Sequence, residues 1–381
     1  MIIYTSVTNS YIPKARVLAE SVKQFHPDWK FILLLSDSIP DKFNLSREDF
    51  DEILTLEQLS FPNKKAWTFG HTVVELCTAV KGLAAEFIVE EYHDEKIMYL
   101  DPDIKVFNSL EPLNQLLDIY DILLTPHLLD VENTLDAIQD NEISALKHGI
   151  YNLGFFAVRT SGQGLDFIRW WAKRLFHFCS NDIPNGLFTD QRWCDLAPCF
   201  FDKLYIVRDR GYNVATWNIA FRPLSRSSNG SLFAGSTLLR FYHFTGYDSG
   251  AGLGMLKKYA TDQDVANEIW DGYGADLERA DHGNSNFSTW IYDHYDNGET
   301  IPQEARRLYR SREDLIAAFP DPYSVIEPSF KSWYALHQLT LPDNTPSEPL
   351  NSPNLGGITW IRKFSNSVQK RKKKYFGSNK S

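Results

Sequence analysis

The feature that most constrains the fold is an unbroken apolar run, Phe31–Leu35, which stops abruptly at Ser36 and Asp37. A strand that is apolar at every position is typical of a parallel sheet that is covered by helices on both faces. The preceding sequence agrees with this arrangement, since Ile2–Val7 is rich in β-branched residues and Pro13–Gln24 has apolar residues at helical spacing. The opening of the chain therefore predicts a strand, a helix and a second, buried strand.

The alternation continues along the chain. Ile53-Leu54 predicts a short third strand, Val73–Glu91 a long helix, and Lys96–Leu100 the next strand. Together these segments predict an α/β fold, a doubly wound, mostly parallel central sheet flanked by helices. The same patterns predict four later strands and one more helix, at Ile122–Thr125, Phe155–Arg159, Leu204–Arg208, Leu238–Phe244 and, for the helix, Leu165–Phe178.

The chain has 381 residues and a net charge of −10, which is unevenly distributed. The acidic body argues against nucleic-acid binding. From Pro349 onward there are eight basic residues and no acidic ones. Ile358–Phe376 has the pattern of a basic amphipathic helix on an anionic membrane surface, with a disordered solubilising tail as the alternative. We expect a cytoplasmic protein, with the tail as a peripheral contact to the inner face of the cell membrane.

Composition also divides the chain into four expected parts. Residues 1–255 form a catalytic domain, residues 256–340 a mostly helical extension packed on it, residues 341–357 a linker rich in Pro, Asn and Ser, and residues 358–381 the basic tail. The four cysteines include no CxxC pair and are expected to be reduced thiols.

Polar residues follow several of the predicted strands where ligands bind in such sheets, beyond the carboxyl ends. Asn9, Asp37 and Asp101 all lie at these ends. Asp101 and Asp103 flank Pro102, and two hard carboxylates so close together suit Mg²⁺ or Mn²⁺. On an extended chain both side chains would point the same way, and the ion could neutralise a diphosphate. The structural alternative is a solvated turn at the strand end.

Several segments agree in order with one known family. Tyr99–Ile104 resembles the metal-binding D-x-D segment of GT-A fold glycosyltransferases, and Tyr4–Tyr11 resembles their first strand and nucleotide-binding loop. Three later segments resemble the N-x-G, D-Q and H-x-x-G elements of the family eight-like retaining enzymes, at Tyr151–Phe155, Thr189–Gln191 and Tyr242–Gly246.

This resemblance covers roughly residues 1–250. It implies a metal-dependent transferase that moves a sugar from a nucleotide-sugar, by analogy a UDP-hexose, to an acceptor hydroxyl with retention. An inverting enzyme is the alternative, and it would require an Asp or Glu general base near the acceptor. The basic tail suggests a glycan or lipid-linked glycan acceptor and a role in polysaccharide biosynthesis. The implied metal ligands are Asp101, Asp103 and His243, and the implied residues near the anomeric carbon are Asp190 and Gln191. The implied donor-binding residues are Thr5, Val7, Thr8, Asn9, Tyr11, Lys81, Asn152, Gly154 and Gly246, and Asp37 joins them because it lies at the carboxyl end of a predicted strand.

The acceptor site rests on the residues alone, because Trp217 and Asn218 lie in a polar, aromatic cluster that could stack on a sugar. A packed turn is the structural alternative for Trp217. Asn152 and Asp190 could likewise cap a turn and a helix, and His243 could be an interior strand residue. Lys81 could lie on the surface of its helix.

The late segment departs from the family pattern. Where the related enzymes continue into a Lys-Pro-Trp-like diphosphate clamp, this chain reads Tyr247–Gly254, and Lys257 and Lys258 follow in a different frame. The basic group for the diphosphate is therefore open, and a glycine-rich loop could use backbone N–H groups instead.

Three other classes of protein compete with this interpretation. A phosphatase of the haloacid dehalogenase type also uses an Asp-x-Asp pair, but there the pair normally follows the first core strand. A non-catalytic carbohydrate-binding protein would use some of the 10 Trp and 18 Tyr residues without needing both aspartates. A nucleotidyltransferase needs an early glycine-rich loop, and Asn9–Lys14 contains no glycine.

Overall fold

A computed structural model describes residues 1–281 and 289–337 of the chain. By its contacts the chain divides into two units, Met1–Trp333 and Tyr334–Ser381. The expected linker and basic tail, residues 341–357 and 358–381, lie outside the described residues. Within the described residues, no helix combines the length and the apolar character needed to cross a membrane.

Seven of the fourteen strands described in the first unit lie in one central sheet. In chain order they are β1 (Ile2–Val7), β2 (Lys30–Leu35), β3 (Glu52–Thr55), β4 (Lys96–Leu100), β5 (Ile104–Val106), β6 (Ile122–Pro126), β7 (Tyr151–Arg159), β8 (Asn181–Asp182), β9 (Leu187–Phe188), β10 (Leu204–Ile206), β11 (Leu224–Arg226), β12 (Leu232–Ala234), β13 (Thr237–Leu238) and β14 (Phe241–His243). The central sheet has seven strands in the order β10-β6-β7-β4-β1-β2-β3. Only β7 runs antiparallel to its neighbours, so the predicted α/β class with a mostly parallel sheet is confirmed.

Helices cover both faces of this sheet, and further helices follow it in the chain. In chain order they are α1 (Ile12–Phe25), α2 (Lys64–Phe69), α3 (Val73–Tyr92), α4 (Glu111–Leu116), α5 (Leu135–Ala137), α6 (Ile143–His148), α7 (Gly162–Phe178), α8 (Gln191–Cys194), α9 (Ala197–Phe200), α10 (Ala251–Tyr259), α11 (Gln263–Ala280), α12 (Gln303–Ser311), α13 (Glu313–Ala318) and α14 (Phe330–His337). Two buried clusters result, one between the sheet and α3 with α7, the other between the sheet and α1 with α4.

Helix α3 begins at a capping box, in which the Thr72 hydroxyl accepts from the Glu75 N–H and the Glu75 carboxylate accepts from the Thr72 N–H. Its packing against α7 is close, because a Cβ on Gly82 would lie 2.5 Å from the Cα of Ala172. The capping box and the close contact with α7 together fix the position of α3 against the sheet. They therefore also fix the position of Lys81, which α3 carries to the carboxyl ends of the strands.

A two-stranded pairing brings the late part of the chain to the end of β4. Strand β14 pairs antiparallel with β5, so that His243 lies opposite Ile104. The Phe244 N–H donates to the Asp103 carbonyl at 2.8 Å. The single late strand predicted over Leu238–Phe244 is wrong in one respect, since the chain leaves the strand at Leu239-Arg240 and divides it into β13 and β14.

Candidate active site

The Asp101-Pro102-Asp103 segment forms a turn at the end of β4. The Ile104 N–H donates to the Asp101 carbonyl at 3.1 Å, and the Asp101 N–H donates to the Gly154 carbonyl of β7 at 2.8 Å. The extended conformation predicted for this segment is therefore wrong. The fixed φ of Pro102 suits the second position of a turn, which also brings the two carboxylates to one side.

The turn places two carboxylates beside a histidine. The Nε2 atom of His243 lies 3.0 Å from Asp103 Oδ1 and 3.9 Å from Asp101 Oδ2. One ligand atom from each of the three residues lies within 4.8 Å of the others. Carboxylate oxygens and an imidazole form a donor set that fits Mn²⁺ or Mg²⁺. The three residues named from the sequence as metal ligands are thus brought together.

Two neighbours, Asn213 and Gly154, fix the orientation of His243. Its Nδ1 atom lies 3.3 Å from the Asn213 side-chain oxygen, which can accept the Nδ1–H and leave Nε2 facing the carboxylates. A Cβ on Gly154 would lie 2.5 Å from the His243 ring, so glycine is required there. Burial lowers the pKa of His243, but Asp103 and Asp101 together raise it above its ordinary value.

A buried lysine links the aspartates of the turn to the opposite side of the cleft. The ammonium of Lys81 donates to Asp101 Oδ1 at 3.1 Å and to Asp190 Oδ2 at 2.9 Å, and it lies 4.2 Å from the centre of the Tyr99 ring. Only 4% of the Lys81 side chain is exposed, which excludes the alternative of a surface residue. Burial lowers the pKa of Lys81, but Asp101 and Asp190 outweigh it and raise that pKa overall.

Asp190 precedes α8 but its side chain does not cap that helix. Its carboxyl is buried, and burial raises its pKa although Lys81 acts in the opposite direction. The residue before it, Thr189, has a φ of +43°. A β-branched residue rarely adopts this left-handed conformation, and such strain clusters at functional sites.

The side chain of Asn152 connects Asn213, which contacts His243, to Gln191, which is next to Asp190. Its oxygen accepts from the Gly154 N–H at 3.2 Å and from the Asn213 amide at 2.9 Å. Its amide donates to Gln191 Oε1 at 3.1 Å, and the same Gln191 oxygen accepts from the Leu153 N–H at 3.0 Å. The hydrogen bond from the Gly154 N–H is the turn cap that the sequence offered as the alternative for Asn152. The contacts with Asn213 and Gln191 are additional to it.

These groups line a cleft of about 700 Å³ at the carboxyl ends of the parallel strands. The sequence-predicted residues that line it are Val7, Thr8, Tyr11, Lys81, Asp101, Asp103, Asn152, Asp190, Gln191, Trp217 and His243. The predicted residues that do not line it are Thr5, Asn9, Asp37, Gly154, Asn218 and Gly246.

Three of the residues that do not line the cleft are Thr5 in β1, Asn9 just after β1 and Asp37 just after β2. Asp37 accepts from the Asn9 N–H at 3.3 Å, and burial raises its pKa despite this hydrogen bond. Thr5 Oγ1 and Asn9 Oδ1 are buried and have no hydrogen-bond partner among the described residues. Both side chains therefore retain the capacity to form a further hydrogen bond through these atoms.

The other non-lining residues shape the loops around the cleft. Asn218 accepts from the Ala215 N–H and donates to the carbonyls of His127 and Asn213, which holds the loop that presents Trp217. Gly246 has a φ of +73°, in the left-handed region that favours glycine.

Sequence reasoning missed two residues of the site, His127 and Asn213. His127 directly follows β6, so its position at a strand end was the available signal. Its Nε2 lies 3.2 Å from the Asn152 amide, and burial above all lowers its pKa to about 4. Asn213 has a φ of +52° and lies in a polar turn, but nothing in its sequence neighbourhood indicates contact with His243.

The curated proteins that are similar to this chain match only part of it. No protein-family model matches the chain. Two uncharacterised Bacillus subtilis proteins are similar to it, YfnF with 24% identity over 176 residues and YfnD with 28% over 101 residues. The matches cover 45% and 26% of this chain and only 57% and 32% of those proteins.

Solved structures that are similar to the chain include glycosyltransferases. The galactosyltransferase LgtC, solved with donor and acceptor sugar analogs, shares 18% identity at a TM-score of 0.43, over 71% of this chain and 99% of LgtC. GlyE from Streptococcus pneumoniae TIGR4 shares 15% identity at a TM-score of 0.38, over 97% and 98% of the two chains.

Proposed function

We propose that the chain is a metal-dependent glycosyltransferase that moves a sugar from a nucleotide-sugar to a hydroxyl of a glycan or lipid-linked glycan. The observation that carries this proposal is the convergence of Asp101, Asp103 and His243 in one cleft with the buried Lys81–Asp190 pair. The cleft lies beyond the carboxyl ends of parallel strands, where open α/β sheets bind ligands.

The three convergent residues would hold a divalent ion, Mn²⁺ or Mg²⁺. When bound, such an ion supplies positive charge that stabilises a departing diphosphate. Asn213 and Gly154 support this role because they fix the ring of His243 with Nε2 facing the two carboxylates.

Asp190 and Gln191 supply the side of the cleft where we place the sugar. Lys81 keeps a positive charge 2.9 Å from the buried Asp190 carboxyl, which favours its ionised form. A carboxylate there would stabilise positive charge at the anomeric carbon as the bond to the diphosphate breaks. The acceptor hydroxyl then attacks that carbon from the same face, and its proton passes to the diphosphate oxygen. This sequence gives retention, and a UDP-hexose is the donor we propose.

A screen of nucleotide-sugars with Mn²⁺ tests the proposal directly. We expect slow hydrolysis of one donor by the wild type and none by Asp103→Ala. Asp264→Ala, which changes an exposed aspartate outside the cleft, is the matched control and should behave as wild type. Release of phosphate from simple phosphoesters, with no nucleotide-sugar consumed, would instead indicate a phosphatase. Glycan binding that survives replacement of Asp101 and Asp103 would indicate a lectin.

We also propose that the basic tail, residues 358–381, brings the enzyme to an anionic membrane surface where lipid-linked acceptors of polysaccharide synthesis lie. The support is the excess of basic residues over acidic ones after Pro349. Sedimentation with anionic vesicles, before and after removal of the residues that follow Gly357, checks this. Unchanged binding of the truncated chain would contradict the role of the tail.

A further inference from the structure

The charges of the cleft leave a diphosphate without a cation. The described residues that line the cleft include one lysine or arginine, Lys81, and three carboxylates, Asp101, Asp103 and Asp190. The ammonium of Lys81 is already bound to two of these carboxylates. Even with a divalent ion in place the lining has no net positive charge, whereas a diphosphate is strongly anionic. A donor therefore needs a further cation near the metal ligands.

Lys14 is the cation whose position meets this need. It lies in the first turn of α1, and its side chain is only 8% exposed. Its ammonium lies 4.2 Å from the centre of the ring of Tyr11, which lines the cleft. The Tyr11 hydroxyl and the Lys14 ammonium also share one acceptor, the Oδ2 atom of Asp248. The ammonium thus lies directly beside Tyr11, a residue of the cleft lining.

The position of Lys14 is unfavourable for the helix that carries it. A positive charge in the first turn opposes the helix dipole, and the first turn of α1 contains no acidic residue. A nearly buried ammonium there requires an anionic partner.

Asp248 supplies that partner from the other end of the fold. Its Oδ2 atom accepts from the Lys14 ammonium at 2.6 Å and from the Tyr11 hydroxyl at 2.9 Å. The side chain of Asp248 is 56% exposed, and it lies in a loop between two glycines of positive φ, Gly246 and Gly250. The buried ammonium of Lys14 is therefore paired with the exposed carboxylate of Asp248. A phosphate oxygen in the place of that carboxylate would accept hydrogen bonds from the same two donors, Lys14 and Tyr11.

We propose that Lys14, assisted by the Tyr11 hydroxyl, binds the distal phosphate of the donor's diphosphate, and that Asp248 occupies these two groups until the donor arrives. The inference rests on the proposed function, because it presumes a nucleotide in the cleft. It fills the place left open by the late segment, where Ser249 and Gly250 offer no basic side chain.

Calorimetric titration of the full chain in Mn²⁺ tests the inference, with UDP and UMP as probes and with GDP, CDP and ADP and their monophosphates if UDP does not bind. Lys14→Gln should weaken binding of the diphosphate roughly 10- to 100-fold and leave the monophosphate unchanged, because only the distal phosphate is lost as a partner. Lys14→Arg should retain most of the affinity.

Asp248→Asn separates phosphate binding from a structural ion pair. We expect it to bind the diphosphate as tightly as wild type or more tightly, because it removes the group that competes for Lys14. Equal loss in Lys14→Gln and Asp248→Asn would overturn the inference, as would diphosphate binding by Lys14→Gln that equals wild type. If wild type binds none of the nucleotides, the proposed function fails and the inference fails with it.

Discussion

Gly154 shows how strictly single residues define the site. Its missing side chain makes room for the ring of His243, and its carbonyl accepts from the Asp101 N–H. One residue therefore positions two of the three proposed metal ligands. The sequence suggested this glycine from its motif, but the reason for it becomes visible only when β7 and β14 are brought together.

We predict that Gly154→Ala abolishes Mn²⁺-dependent turnover and lowers the free energy of unfolding by about 1–3 kcal/mol, because the new methyl group would overlap His243. Turnover and urea unfolding measure the two effects. Gly272→Ala is the control, since a Cβ there meets nothing within 4 Å and α11 should become slightly more stable. Normal activity of Gly154→Ala would show that the position of the ring is not critical.

Lys81 is the residue on which the electrostatics of the site depend. Lys81→Met should lower the free energy of unfolding by about 3–5 kcal/mol, because Asp190 is left as an uncompensated buried carboxyl. Adding Asp190→Asn should recover part of this loss, and urea unfolding of the two single variants and the double variant measures the coupling. Strictly additive losses would contradict a direct pair.

His127 should make stability depend on pH. Its folded-state pKa of about 4 lies below the ordinary value of about 6.5, so the unfolded chain binds more protons between these two values. The free energy of unfolding should therefore fall as the pH falls through that window, by at most ~1.4 kcal/mol per unit. His127→Gln should flatten the curve between pH 6.5 and 4, and an unchanged slope would show that His127 is not its source.

At the scale of elements, the sequence predicts best what local pattern determines. The strand Lys96–Leu100 was predicted with its observed bounds, and α3 was predicted to within one residue, because their apolar patterns are continuous. Strand β7 begins at Tyr151 rather than at the predicted Phe155, since Asn152 and Gly154 are poor strand formers that tertiary contacts hold in place.

The arrival of His243 at the two aspartates could be expected only from the family resemblance. It results from the β5–β14 pairing, which joins segments more than a hundred residues apart. The extended conformation predicted for the segment around Pro102 is wrong for a related reason. Its conformation is fixed by a hydrogen bond to β7 that local pattern does not reveal.

The start of α3 gives a prediction at this scale. Thr72→Ala removes one half of a capping box and should lower the free energy of unfolding by about 1 kcal/mol. Asn44→Ala, which removes the cap of the three-residue 3₁₀ helix Leu45–Arg47, is the control and should have a smaller effect because so little helix depends on it. Thermal unfolding followed by circular dichroism compares the two, and equal effects would contradict a special role for the box.

At the scale of the whole molecule, an ion that binds only the folded state should stabilise the entire fold. At a concentration one hundred times its dissociation constant the gain is about 2.7 kcal/mol. We predict that Mn²⁺ raises the melting temperature of the wild type, that EDTA reverses the rise, and that Asp103→Ala shows neither effect. An equal rise in Asp103→Ala would place the ion elsewhere.

The side chain of Asn152 makes the two sides of the cleft interdependent. Its oxygen holds Asn213, which orients His243, while its amide holds Gln191 beside Asp190. A primary amide cannot rotate one end without rotating the other. Under the proposed function, a substitution at Gln191 that alters sugar preference would therefore also disturb the histidine, so that donor selectivity and metal affinity should change together in engineered variants.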